Sequence, residues 1–197
     1  MNSNEIIDWL LEGDVSIQYQ VYRDLLSIIR DDLRNRISAE GWGAESLSRR
    51  RSDGHWGRKF YQPKWTSSHY TLLDLRNLCI SPDNPIIRES VDMIAVHEKG
   101  PDGGINPAGS VLDSDVCING MFLNYASYFK ADKEKLKSIV DFILSQCMID
   151  GGFNCRSNRS GAVHSSLHST LSVLEGITEY EFNDYTYRLD ELKKAEK

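Results

Sequence analysis

Asp115 and Cys117 stand two residues apart, and His168 follows Cys117 by 51 residues. A carboxylate, a thiolate and an imidazole with one open position make the donor set of a catalytic zinc site. Other groups nearby suit a substrate. Arg156 and Arg159 carry guanidinium forks that fit phosphate. Arg58, Lys59 and Lys64 are a second cationic group. Both sets also read as solvated charges on a rim of loops. His164 precedes His168 by four residues, a metal-binding spacing if both lie on one helix. The other reading is an ordinary packed or capping histidine. Trp56, Phe60, Tyr61, Trp65 and Tyr70 supply aromatic surface for a pocket, with His55 and His69 flanking the same stretch.

A stretch that occurs three times must position these groups. Asp53-Gly54-His55-Trp56, Asp102-Gly103-Gly104-Ile105 and Asp150-Gly151-Gly152-Phe153 are Asp-Gly turns ending in a large apolar residue. The Asp positions are 49 and 48 residues apart. A period near fifty residues marks a repeat architecture. Trp56, Ile105 and Phe153 then read as core wedges between repeats. A helix follows each turn, and His69, Cys117 and His168 are matched as its entry residues.

Apolar spacing gives the remaining elements. Two helices are expected within 4–30, with Gly13 ending the first and Ser16 capping the second. Thinner helices are expected at 31–40 and 45–51. Helices then run from about 67, over 85–98, from 113 or 114, and over 133–147, 164–180 and 184–196. Asp113 or Ser114 reads as an N-cap. No strand-like alternation appears. The pattern is helix, short turn, helix, long Gly-rich loop, and stacked hairpins of this kind bury one another's faces. The expected fold is all-α, a single domain over 1–197. It comprises N-terminal helices (1–51), repeats (52–183) and a C-terminal helix (184–197).

Composition narrows the function. The chain has 197 residues, 40% of them hydrophobic, and a net charge of −6. That balance argues against general nucleic-acid binding, which needs a basic footprint. No apolar run is long enough to span a bilayer. Met1–Glu5 has neither a basic region nor an apolar core, so the cytoplasm is the expected compartment. Cys79, Cys117, Cys147 and Cys155 contain no CxxC pair. In that compartment they are expected as buried thiols rather than a disulfide framework.

The three turns and their helices resemble the repeats of the squalene cyclase and protein prenyltransferase superfamily, over about 50–180. The third copy carries the resemblance best, through Gln146…Asp150-Gly151-Gly152-Phe153 and His164-Ser165-Ser166-Leu167-His168. Trp9-Leu10-Leu11…Tyr19…Arg23-Asp24-Leu25-Leu26 also resembles the start of small bacterial prenyltransferase-like proteins. The resemblance implies an α/α toroid, here an open arc, a truncated ring or half of a homodimer. It implies Asp115, Cys117 and His168 as zinc ligands and an apolar cavity for an isoprenoid-like ligand. Trp56, Trp65, His69, Tyr70, Arg156, Arg159 and His164 would then contact substrate. Gly109, Leu112 and Ile118 stand where prenyltransferases have diphosphate-binding Arg, Lys and Tyr. Asp113-Ser114-Asp115-Val116 also resembles the acid motif of the cyclases, with Val116 replacing its last Asp. That reading makes Asp113 and Asp115 a general acid and its support. The alternative to an enzyme is a non-catalytic binding or scaffold module with a protein partner.

Overall fold

The computed structural model describes residues 2–107, 113–156 and 160–196. The described chain is all helix and loop. Its helices are α1 (Ser3–Leu11), α2 (Val15–Gln20), α3 (Asp31–Arg36), α4 (Gly41–Ser48), α5 (Ser68–Asn77) and α6 (Pro85–His97). They continue with α7 (Val116–Tyr128), α8 (Lys133–Ser145), α9 (Leu167–Phe182) and α10 (Leu189–Leu192). Among the described residues there is no strand, only two isolated β-bridges. No described helix is long and apolar enough to cross a membrane.

Several boundaries move from their expected places. Asp14, not Ser16, caps α2, its carboxylate accepting the Ser16 N–H at 2.9 Å. A π-turn, Val21–Leu25, ends the second N-terminal helix, and residues 27–30 are loop, with Ser27 at a φ of +56°. α9 begins at Leu167, so His164 lies outside it and does not share a helix face with His168. The expected 184–196 helix is the single turn of α10 followed by a 3₁₀ segment.

The helices form two layers. α5, α7 and α9 lie side by side in one, and α6 and α8 pack together in the other. α7 also contacts α8, and α10 lies against α8 and α9. α7 is the centre. Its sequence has no charge from Val116 to Tyr128, and ten of its residues are buried. A helix apolar on all sides is stable only when neighbours cover all sides. Phe122 and Tyr125 of α7 are fully buried with Leu72 and Leu75 of α5, Ile139 and Ile143 of α8, and Val173 and Ile177 of α9. The N-terminal segment joins through Arg34, whose guanidinium donates to the Tyr128 hydroxyl at 2.9 Å. The Tyr128 hydroxyl in turn donates to the Ile80 carbonyl at 2.7 Å.

The three Asp-Gly turns fold alike. The N–H groups of Arg51, Gly100 and Met148 donate to the carbonyls of His55, Gly104 and Gly152 at 2.8, 2.8 and 3.0 Å. Gly54, Gly103 and Gly151 have φ of +85°, +85° and +86°. Glycine reaches that region without a Cβ clash. After each turn one buried residue enters the core: Trp56, Ile105 or Phe153. A polar side chain of the next helix then clamps its backbone. The Trp56 N–H donates to Ser68 Oγ at 3.0 Å, Ile105 to Asn119 Oδ1 at 2.7 Å, and Phe153 to Thr170 Oγ1 at 3.0 Å. Each clamp also donates back to the same residue's carbonyl, at 3.4, 3.0 and 3.3 Å. Buried peptide groups in a loop need such partners.

Candidate functional site

The clamps set the true register between repeats. Ser68, Asn119 and Thr170 are equivalent and 51 residues apart. Cys117 and His168 are therefore matched, as the sequence suggested. His69 is not their counterpart, because it falls level with Gly120 and Leu171. Wedge and clamp are 12, 14 and 17 residues apart in the three copies, so spacing counted from the turns slips along the helices.

The expected zinc ligands do not converge. Asp115 is the N-cap residue of α7, where its carbonyl accepts from Asn119 Nδ2 at 3.0 Å. Cys117 is paired in a disulfide with Cys155 of the third loop. His168 is exposed in the first turn of α9. Cys155 occupies the space between the two helix starts. Its Sγ accepts from the Cys117 N–H at 3.1 Å and from Ser169 Oγ at 3.3 Å, and its own N–H donates to Ser169 Oγ at 3.2 Å. Among the described residues no group of three or more His, Cys, Asp or Glu could hold a metal ion. The pairing also corrects the expectation of four buried thiols. Cys79 is buried and free, and Cys147 is free but exposed.

Asp113 is exposed and lies ahead of the helix. The helix entry is built differently from the expected Asp113 or Ser114 cap. Ser114 is buried and bonds to Asp102 of the second turn, N–H to Oδ2 at 2.7 Å and Oγ to Oδ1 at 2.8 Å. The third turn repeats this contact, with Asp150 Oδ2 accepting the Ser165 N–H at 2.8 Å.

The aromatic residues divide. Trp56 is buried and donates its indole N–H to the Ser46 carbonyl at 2.7 Å. Trp65 is 70% exposed, with Lys64 Nζ 4.8 Å from its ring centre. Both touch a small outer cleft with Arg49 and Asp74. His69 is fully buried among Phe60, Tyr61, Tyr70 and Tyr125. Its Nδ1 lies 3.3 Å from the Tyr125 hydroxyl, and its Nε2 has no partner. Burial without a countercharge lowers its pKa to about 3, so it stays neutral. Tyr70 is half-buried, its hydroxyl 3.0 Å from that of Tyr61. Arg156 and His164 are exposed, and Arg159 lies outside the described residues, as do Gly109 and Leu112.

A different set of residues forms a cleft. It opens between α5 and α9 over α7 and holds about 360 Å³. That is near the lower end of small-molecule sites, which run from roughly 300 to 1,000 Å³. Leu73, Leu171 and Leu174 make its apolar walls. Arg76, Glu175, Thr178 and Glu179 are polar, and Asn124 also lines it. The Arg76 guanidinium is ion-paired with Glu179 across the gap between α5 and α9. Asn124 is 5% exposed; its Nδ2 donates to the Glu175 carbonyl at 2.9 Å, and its buried Oδ1 has no partner. A buried acceptor left unbonded is a recognised cost. Sequence reading missed this site because its polar members come from three separate helices, away from the Asp-Gly turns. The signal available was Asn124, a polar side chain within an uncharged, mostly buried helix. No family model, curated protein or solved structure matches this chain.

Proposed function

We propose that the protein is an open arc of α/α-toroid kind that works as a binding module. Its ligand is a small amphipathic molecule, isoprenoid-like in its tail, seated in the cleft between α5 and α9. The observation that carries this reading is Asn124 Oδ1, a buried acceptor without a partner beside the apolar walls of Leu73, Leu171 and Leu174. An alcohol or amine head would donate to it. The cleft carries two carboxylates, Glu175 and Glu179, against one guanidinium that is already paired. That balance disfavours a diphosphate head through like-charge repulsion. It therefore favours binding over prenyl transfer, which the resemblance alone would imply.

Calorimetric titration with farnesol, farnesylamine and farnesyl diphosphate tests the reading. The alcohol and amine should bind saturably and the diphosphate should not. Leu171→Glu, at a half-exposed wall position, should abolish binding while the helical circular dichroism is kept. Asn124→Ala should weaken it about tenfold, one hydrogen bond's worth of about 1.4 kcal/mol. Equal binding by wild type and Leu171→Glu would sink the proposal. Preferred binding of the diphosphate would return the transferase reading.

A further inference from the structure

We infer that Cys117 and Cys155 form a thiol–disulfide exchange site whose co-substrate is a low-molecular-weight disulfide or thiol. Two elements far apart in sequence bring them together, the first turn of α7 and the third loop, 38 residues on. Their Cα atoms are 6.1 Å apart. Bridged cysteines span about 4.4–6.8 Å, so this separation is one that a disulfide can close. Both residues are half-buried, open enough for a small thiol to reach, whereas Cys79 is buried.

The surroundings distinguish the two sulfurs. Cys155 Sγ accepts from the Cys117 N–H and from Ser169 Oγ. The Cys117 N–H is one of the first-turn groups that have no partner inside their own helix. A helix start and a hydroxyl donor both stabilise negative charge on sulfur, the condition for a reactive cysteine. Cys155 is thus the nucleophile and Cys117 the resolving partner.

The step balances as follows. In the dithiol form, the Cys155 thiolate attacks one sulfur of a small disulfide such as glutathione disulfide. A Cys155–glutathione bond forms and one glutathione thiolate leaves. Cys117 gives its proton to solvent and attacks Cys155 Sγ. The protein disulfide forms and the second thiolate departs. Two electrons pass from the cysteine pair to the small disulfide, and excess thiol runs the same steps backwards. The exchange closes or releases a tether between the third loop and α7. It lies two helical turns from Asn124 and does not depend on the ligand cleft.

The test uses the full chain carrying Cys147→Ser, which removes the exposed lone thiol. Native protein is equilibrated in glutathione buffers of varied ratio, alkylated and weighed by mass spectrometry. A reversible passage between dithiol and disulfide forms, differing by two hydrogens, is expected without loss of helix signal. A pair reduced only after denaturation would be an inert structural bridge and would overturn the proposal. So would a pair that glutathione disulfide never oxidises. In Cys117→Ser/Cys147→Ser, Cys155 should be trapped as a single glutathione adduct, and adding Ser169→Ala should slow its formation severalfold. A folded double variant that forms no adduct at Cys155 counts against the site.

Discussion

Gly120 of α7 and Gly176 of α9 meet backbone to backbone. A Cβ on Gly120 would stand 2.6 Å from the Ser172 carbonyl oxygen, and one on Gly176 would strike the carbonyl of Gly120. Backbone cannot yield as a flexible side chain can. The two helices cross closely only because both positions lack a side chain. This contact fixes how α9 lies on α7, and hence the shape of the cleft on their shared edge.

Gly176→Ala should therefore push the helices apart. The expected loss is about 2–4 kcal/mol, the scale of overpacking in a dense core. Chemical denaturation measures it directly. Gly151→Ala is a useful contrast, because nothing lies within 4 Å of its Cβ position and only its φ of +86° is strained. It should cost less.

Arg76 and Glu179 should behave as a pair. The Glu179 side chain is 9% exposed and that of Arg76 is 32% exposed. Arg76→Met leaves a buried carboxylate unpaired and should cost about 3 kcal/mol. Arg76→Met/Glu179→Met should recover most of that loss. A double-mutant cycle on urea midpoints gives the coupling, and additive losses would refute it.

Acid should weaken the fold through His69. Its folded pKa of about 3 lies below the unfolded value near 6.5. Between those values the unfolded chain binds the extra proton, so stability falls as pH drops below about 6.5. The slope from this group is about 1.4 kcal/mol per pH unit. His69→Phe keeps the aromatic contacts and removes the titrating group. Its stability should decline less between pH 6 and pH 4, measured by denaturant midpoints against wild type.

The wedge and its clamp can be separated at the third repeat. Phe153 is fully buried, and Phe153→Ala should cost about 3–5 kcal/mol through the cavity it leaves. Thr170→Val keeps the volume but strands the Phe153 N–H, which donates to Thr170 Oγ1 at 3.0 Å. That loss should be about 1–3 kcal/mol. Thermal melts should rank the two variants in that order.

The three Asp-Gly turns, the absence of strands among the described residues and the burial of Trp56, Ile105 and Phe153 were all legible in the residue order. Each depends on local chemistry. A left-handed glycine, a nearby carboxylate and one large apolar side chain declare themselves within a few residues. The sequence by itself also determined that Cys117 and His168 hold matched places, because both lie between a turn and its helix. What stands beside them was decided only by the tertiary structure. The loops between wedge and clamp differ in length, so His69 slipped to the level of Gly120 and Leu171 and into an aromatic box. The third loop placed Cys155 between the starts of α7 and α9, where it took Cys117 as its partner. The cleft arose the same way. Asn124, Arg76 and Glu179 come from three helices and meet only because Gly120 and Gly176 let α7 and α9 approach. Contacts between residues fifty positions apart depend on how helices cross, and no local pattern encodes a crossing.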